Sequence, residues 1–184
     1  MKVIEQEIHS LKNSISEMWA LVHQQLYNAG EAMLTGDKEL AYKVISRERR
    51  VNAFELKIDS DCEDIIALYA PVAIDLRFVL AMYKINTNLE RLGDFAESIA
   101  RFAGNLPEGE PIDPQLVKET RVEEMLSELL SMISLTKEAF EKESSEIASR
   151  IFLKDNLIDE INHNSTAIIA KYIEEHKGSA LAGL

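Results

Sequence analysis

Apolar residues recur along most of this chain at spacings of three and four, the period of one helix face. Ile15, Met18, Trp19, Val22, Leu26, Ala29 and Met33 form the first stripe. It stops at Thr35-Gly36-Asp37, where glycine acts as a helix terminator. A second helix is expected from about Lys38 to Tyr69, carrying Leu40, Val44, Val51, Phe54, Ile58 and Ile65. Pro71 suits the first turn of a third helix, where its missing N–H leaves nothing unpaired. That helix runs to about Ala103 on Leu76, Val79, Met82, Ile85, Leu89, Leu92, Ala96, Ile99 and Phe102. Segment 104–114, GNLPEGEPIDP, reads as a linker, and Asp113 with Pro114 makes an N-cap and first-turn pair. A fourth helix is expected to about Glu143, with Val122, Met125, Leu126, Leu129, Ile133 and Ala139 or Phe140 inward. Ser144 caps a fifth, which ends near His176, where Lys177-Gly178-Ser179 breaks the pattern.

The order of these helices suggests a repeat. An offset of 107 pairs Glu17 with Glu124, Glu31 with Glu138, Glu39 with Glu146 and Ala41 with Ala148. It also pairs Leu26 with Ile133, Val44 with Ile151, Val51 with Ile158 and Ile66 with Ile173. The breaks coincide as well: Gly36-Asp37 falls on Glu143-Ser144, Pro71 on Gly178, and Leu184 on Arg77. The expected organisation is therefore all-α. Residues 1–104 form one three-helix repeat, 105–114 a linker, and 115–184 a second repeat whose third helix is missing. The chain reads as cut short, with a naturally short variant as the other reading.

Composition narrows the class. A hydrophobic content of 46% with only 7 Gly and 4 Pro favours an ordered core built from long elements. The net charge of -12 argues against nucleic acid, which needs clustered Lys and Arg. It permits cation binding by carboxylates, although a solvated acidic surface is the commoner reason for such a charge. Cys62 is the single cysteine, so no internal disulfide forms, in keeping with a reducing compartment. Its neighbours Asp61, Glu63 and Asp64 oppose thiolate formation. The longest nearly apolar run, 65–74, is too short to span a bilayer and contains Pro71. No nucleophile-and-base set and no glycine-rich phosphate loop appears, which points away from an enzyme.

The third helix contains YKINTNLERLGDFAESIARF. Glu90 and Asp94, four apart, project from one face, which Glu97 and Arg101 continue. Hard cations prefer such oxygen ligands; the alternative is a solvated face with Glu97 and Arg101 ion-paired. Glu55 and Asp59 repeat the spacing on the second helix. Gly93 costs about 1 kcal/mol relative to Ala inside a helix; it is either simply tolerated or placed for the close approach of another backbone or a ligand. Glu160 and His163 have the Glu-x-x-His spacing of ferritin-like di-iron bundles, but occur once, so a surface histidine is the competing reading. His9, His23 and His176 lack ligand spacing.

The stretch Ala70-Pro71-Val72-Ala73-Ile74-Asp75-Leu76-Arg77, then Lys84-Ile85, Leu89-Glu90-Arg91-Leu92-Gly93-Asp94 and Ile99-Ala100, resembles the PhoU family signature. The resemblance implies a bundle of two antiparallel three-helix repeats and a homodimer. It implies a cytoplasmic negative regulator of the phosphate regulon, linking a phosphate ABC transporter ATPase to a sensor histidine kinase. Membrane contact would then run through partners alone. It also implies multinuclear metal (Fe, Zn, Mg, Mn or Ca) held by Glu-x-x-x-Asp motifs, here Glu90 and Asp94, then Glu55 and Asp59. Two departures stand out. Ser98 occupies a position where the family often has Asn, and Asn162 and Thr166 fall where the repeat would place the counterparts of Glu55 and Asp59. The alternatives are a ferritin-like carboxylate metalloprotein and the cytoplasmic domain of a sodium–phosphate cotransporter.

Overall fold

The structure is a computed structural model that describes residues 3–107 and 111–176. The described residues form six helices and no strand: α1 Val3–Thr35, α2 Lys38–Tyr69, α3 Ile74–Asn105, α4 Pro114–Thr120, α5 Val122–Glu141 and α6 Ser145–Glu175. The all-α expectation holds. The break at 177–179 and the segment after it lie outside the described residues.

α1, α2 and α3 pack all against all as one bundle. Its centre is continuous: Leu11, Ile15, Met18, Val22 and Ala29 of α1 meet Ala41, Val44 and Ile58 of α2 and Val79, Ala96 and Ala100 of α3, all fully buried. Asp37 caps α2 by accepting from Leu40 N at 2.9 Å, so the Gly36-Asp37 break works as a helix stop followed by a helix start.

Three boundaries differ from the sequence reading. Pro71 does not open α3. It sits buried in a short connection, and α3 begins at Ile74 after Ala73, with no side-chain cap. Ala70 and Ala73 both take positive φ, 45° and 48°. Two left-handed residues turn the chain tightly enough to leave Pro71 facing inward and the helix start three residues later. At the other end α3 runs on through Gly104 to Asn105, so the linker starts at Leu106. The expected fourth helix is two helices. Arg121 adopts a left-handed conformation (φ 55°), and its guanidinium bridges Glu124 of α5 and Glu160 of α6. The short α4 is thereby free to lean on α6, where Ser165 Oγ reaches Thr120 O at 3.2 Å and Tyr172 Oη donates to Asp113 Oδ2 at 2.9 Å.

α5 joins the second half to the first by running antiparallel to α1. Lys12 pairs with Glu143 (2.8 Å), Trp19 stacks on Phe140, and His23 Nε2 lies 3.1 Å from Ser134 Oγ. Ser144 caps α6 as expected.

Candidate functional site

The antiparallel packing of α2 on α3 decides which polar side chains meet. On α2, Glu48, Glu55 and Asp59 follow each other at helical spacing; on α3, Asn86, Glu90, Asp94 and Glu97 do the same. Opposed, they make one acidic seam along the outer edge of the bundle.

Three glutamates of the seam feel the charges of neighbouring carboxylates. Glu90 is held above the ordinary carboxylate value of 4.5 by partial burial first, then by the charges of Asp94 and Glu55, with Glu48 further off. Glu55 is raised by burial, then by Asp59 and Asp94. Glu48 is raised by burial, then by Glu97 and Asp94, with Arg101 opposing. Glu48, Glu55 and Glu90 thus each sense a carboxylate across the helix pair, and Arg101, itself paired with Glu97 at 2.6 Å, opposes at Glu48. All four carboxylates expected from the sequence, Glu90, Asp94, Glu55 and Asp59, come together here. The Glu97–Arg101 ion pair also forms, so the solvated-face reading holds for that end of the seam.

Two features were not legible in the sequence. Glu48 lies outside any Glu-x-x-x-Asp pair, and only the helix pairing brings it to Asp94. Asn86 was masked by its apolar neighbour Ile85, which is only half-buried, whereas Asn86 is completely buried. Its Nδ2 donates to Glu55 O at 2.9 Å and to Asp59 Oδ1 at 2.8 Å. Its own Oδ1 is buried without a hydrogen-bond partner.

The chemistry of this donor set fits a hard divalent cation: all-oxygen ligands whose repulsion a cation would relieve. As they stand, no three His, Cys, Asp or Glu side chains among the described residues converge closely enough to hold one ion. Occupation therefore requires side-chain rotation, which half-exposed glutamates on helix surfaces can make.

Gly93 has a steric reason. A Cβ there would stand 2.8 Å from Val51 Cγ1, so the glycine lets α3 approach α2 directly beneath the seam. Cys62 is buried, with Sγ 3.8 Å from Val79 O, and burial together with Asp59, Asp61 and Glu63 pushes its thiol up to about 12. The ferritin-like alternative fails on geometry. Glu160 is exposed and spent on Arg121, and His163 is exposed, so neither enters the bundle interior. Asn162, Thr166 and Ser98 are also exposed.

Comparison with known proteins supplies the remaining context. The family model described as the PhoU domain matches residues 15–103, which is the first bundle. The phosphate-specific transport system accessory protein PhoU homolog of Aquifex aeolicus is 33% identical over 171 residues, covering 92% of this chain and 75% of the relative. The crystal structure of PhoU from Pseudomonas aeruginosa superposes with a TM-score of 0.89 at 27% identity, covering 97% of this chain and 85% of that one. The structure of the phosphate transport system regulatory protein PhoU from Streptococcus pneumoniae gives 0.85 at 28%, covering 98% and 83%. No helix among the described residues is long and apolar enough to cross a membrane. The similarity therefore runs beyond the signature helix through both halves of the fold, and the chain belongs to the PhoU family.

Proposed function

We propose that the protein is a non-enzymatic regulator of phosphate transport, acting as a negative regulator in the cytoplasm. In this reading its helical surface, in a homodimer, links a phosphate transporter ATPase to a sensor kinase, and the acidic seam binds divalent metal. The names of its relatives support the transport role. The observation that supports the metal part is that Glu48, Glu55 and Glu90 all feel the charge of Asp94, with Arg101 opposing at Glu48. Glu90, Asp94, Glu55 and Asp59 would hold the metal, with Glu48 at the edge. Bound there, it would replace repulsion between α2 and α3 with shared attraction.

Two experiments test this. Affinity capture of the tagged protein from phosphate-replete cells should recover the transporter ATPase or the kinase; recovery of neither in repeated captures would remove the adaptor reading. Metal analysis of protein purified without chelator should find divalent metal that Glu90→Ala/Asp94→Ala loses. Equal metal in both proteins would exclude these residues as ligands.

A further inference from the structure

The buried stripe of α3 consists of Val79, Met82, Leu89, Gly93, Ala96, Ala100 and Ala103, with Asn86 in its middle. An apolar side chain would serve packing better at that position. Asn86 is 0% exposed and its Oδ1 has no partner, so the amide is kept at a cost that a leucine would not incur. Its orientation is settled by its neighbours: both are acceptor oxygens, so the NH2 end must face them. One of these acceptors belongs to Asp59, a carboxylate of the seam, and the other is the main chain of Glu55, the carboxylate one turn earlier on the same face of α2. Asn86 also lies one turn before Glu90 on α3.

We propose that Asn86 is a positioning residue for the acidic seam: through its two donated hydrogen bonds it fixes the Asp59 carboxylate and the Glu55 backbone against α3, setting the α2 ligands for a divalent cation. The inference rests on the cation reading above. It differs from that reading in assigning the role to a neutral side chain that the signature motifs do not contain. The physical basis is general: groups that orient ligands through hydrogen bonds typically change metal affinity by about 10–100-fold when removed.

The test uses Mn2+ titrated calorimetrically into chelator-stripped protein, with thermal melts in chelator alongside. Asn86→Leu should weaken Mn2+ binding by about tenfold or more, while its metal-free melting temperature stays the same or rises. Asn86→Ala, which adds no bulk, should show the same loss of affinity if the leucine variant folds poorly. In a double-mutant cycle, Asp59→Ala should weaken the wild type strongly and Asn86→Leu hardly further, because the two act together. Wild-type affinity in either Asn86 variant, or a full Asp59→Ala effect in the Asn86→Leu background, overturns the positioning role while leaving the cation site standing. No Mn2+ uptake by the wild type overturns the cation site, and the positioning role falls with it.

Discussion

The two halves of the molecule are both built from helices yet differ in how completely these are covered. In the first bundle Ile15, Met18, Ile58 and Cys62 are each 0% exposed, beneath or beside α3. The residues 107 positions on, Val122, Met125, Ser165 and Ile169, line an open cavity of about 490 Å³ shared with Met33 and Phe102. Few hydrophobic side chains of the second half reach full burial; Ile133 joins the main core only because α5 lies on α1, and Ile161 is buried at 1%. Among the described residues, the closed core is the one where α3 covers α1 and α2.

The most direct way to break this comparison is one truncation made in both halves. Ile58→Ala empties a fully buried site and should cost about 4 kcal/mol in chemical denaturation, whereas half-buried Ile158→Ala should cost about 1. Equal costs would mean that the second half is as tightly packed as the first. A smaller effect separates the contacts made by two glycines. At Gly93 an added methyl meets Val51, a β-branched residue with little rotamer freedom in a helix, so Gly93→Ala should lose about 1 kcal/mol despite the gain in helix propensity. At Gly30 the methyl would overlap the tip of Leu126, a half-buried leucine at the junction of the halves that can swing away. Gly30→Ala should fall within about 0.5 kcal/mol of wild type; the two alanine variants having the same stability would show that both junctions are equally rigid.

The smallest effect is in pH dependence, and its sign differs between the halves. Glu48, Glu55 and Glu90 are raised when folded, so the native seam binds more protons than the unfolded chain. Their contribution is fully present below the ordinary value of 4.5 and is lost as pH rises through the raised folded values. Glu124, paired with Arg121, and Glu141 and Glu143, paired with Lys137 and Lys12, are lowered. Their contribution is present above 4.5 and is lost as pH falls through the depressed folded values. Hydrogen exchange at pH 7 and pH 5, corrected for intrinsic rates, should show α2 and α3 gaining protection relative to α5 and α6 at the lower pH. A relative loss would contradict the seam's mutual repulsion.

What the sequence could and could not convey follows from the range of each interaction. Periodicity placed Val44, Ile58 and Val79 on buried faces because a helix face depends on local spacing alone. Cap residues Asp113 and Ser144 were legible for the same reason. The Pro71 boundary and the split at Arg121 were not, because each depends on left-handed residues that are not glycine. Within the site, Glu90, Asp94, Glu55 and Asp59 stood out by spacing, but Glu48 and Asn86 become part of it only through the register of α2 against α3, which no single helix encodes.

Cys62 offers an experimental handle of a different kind. A lone thiol sealed beneath α3, with its ionisation pushed up to about 12, is closed to alkylating reagents while the helices stay docked. Labelling must wait for the bundle to open, so the rate of modification serves as a built-in stopwatch for separation of α2 from α3. Run with and without divalent metal, it measures whether the seam governs how often that opening occurs, without any added probe.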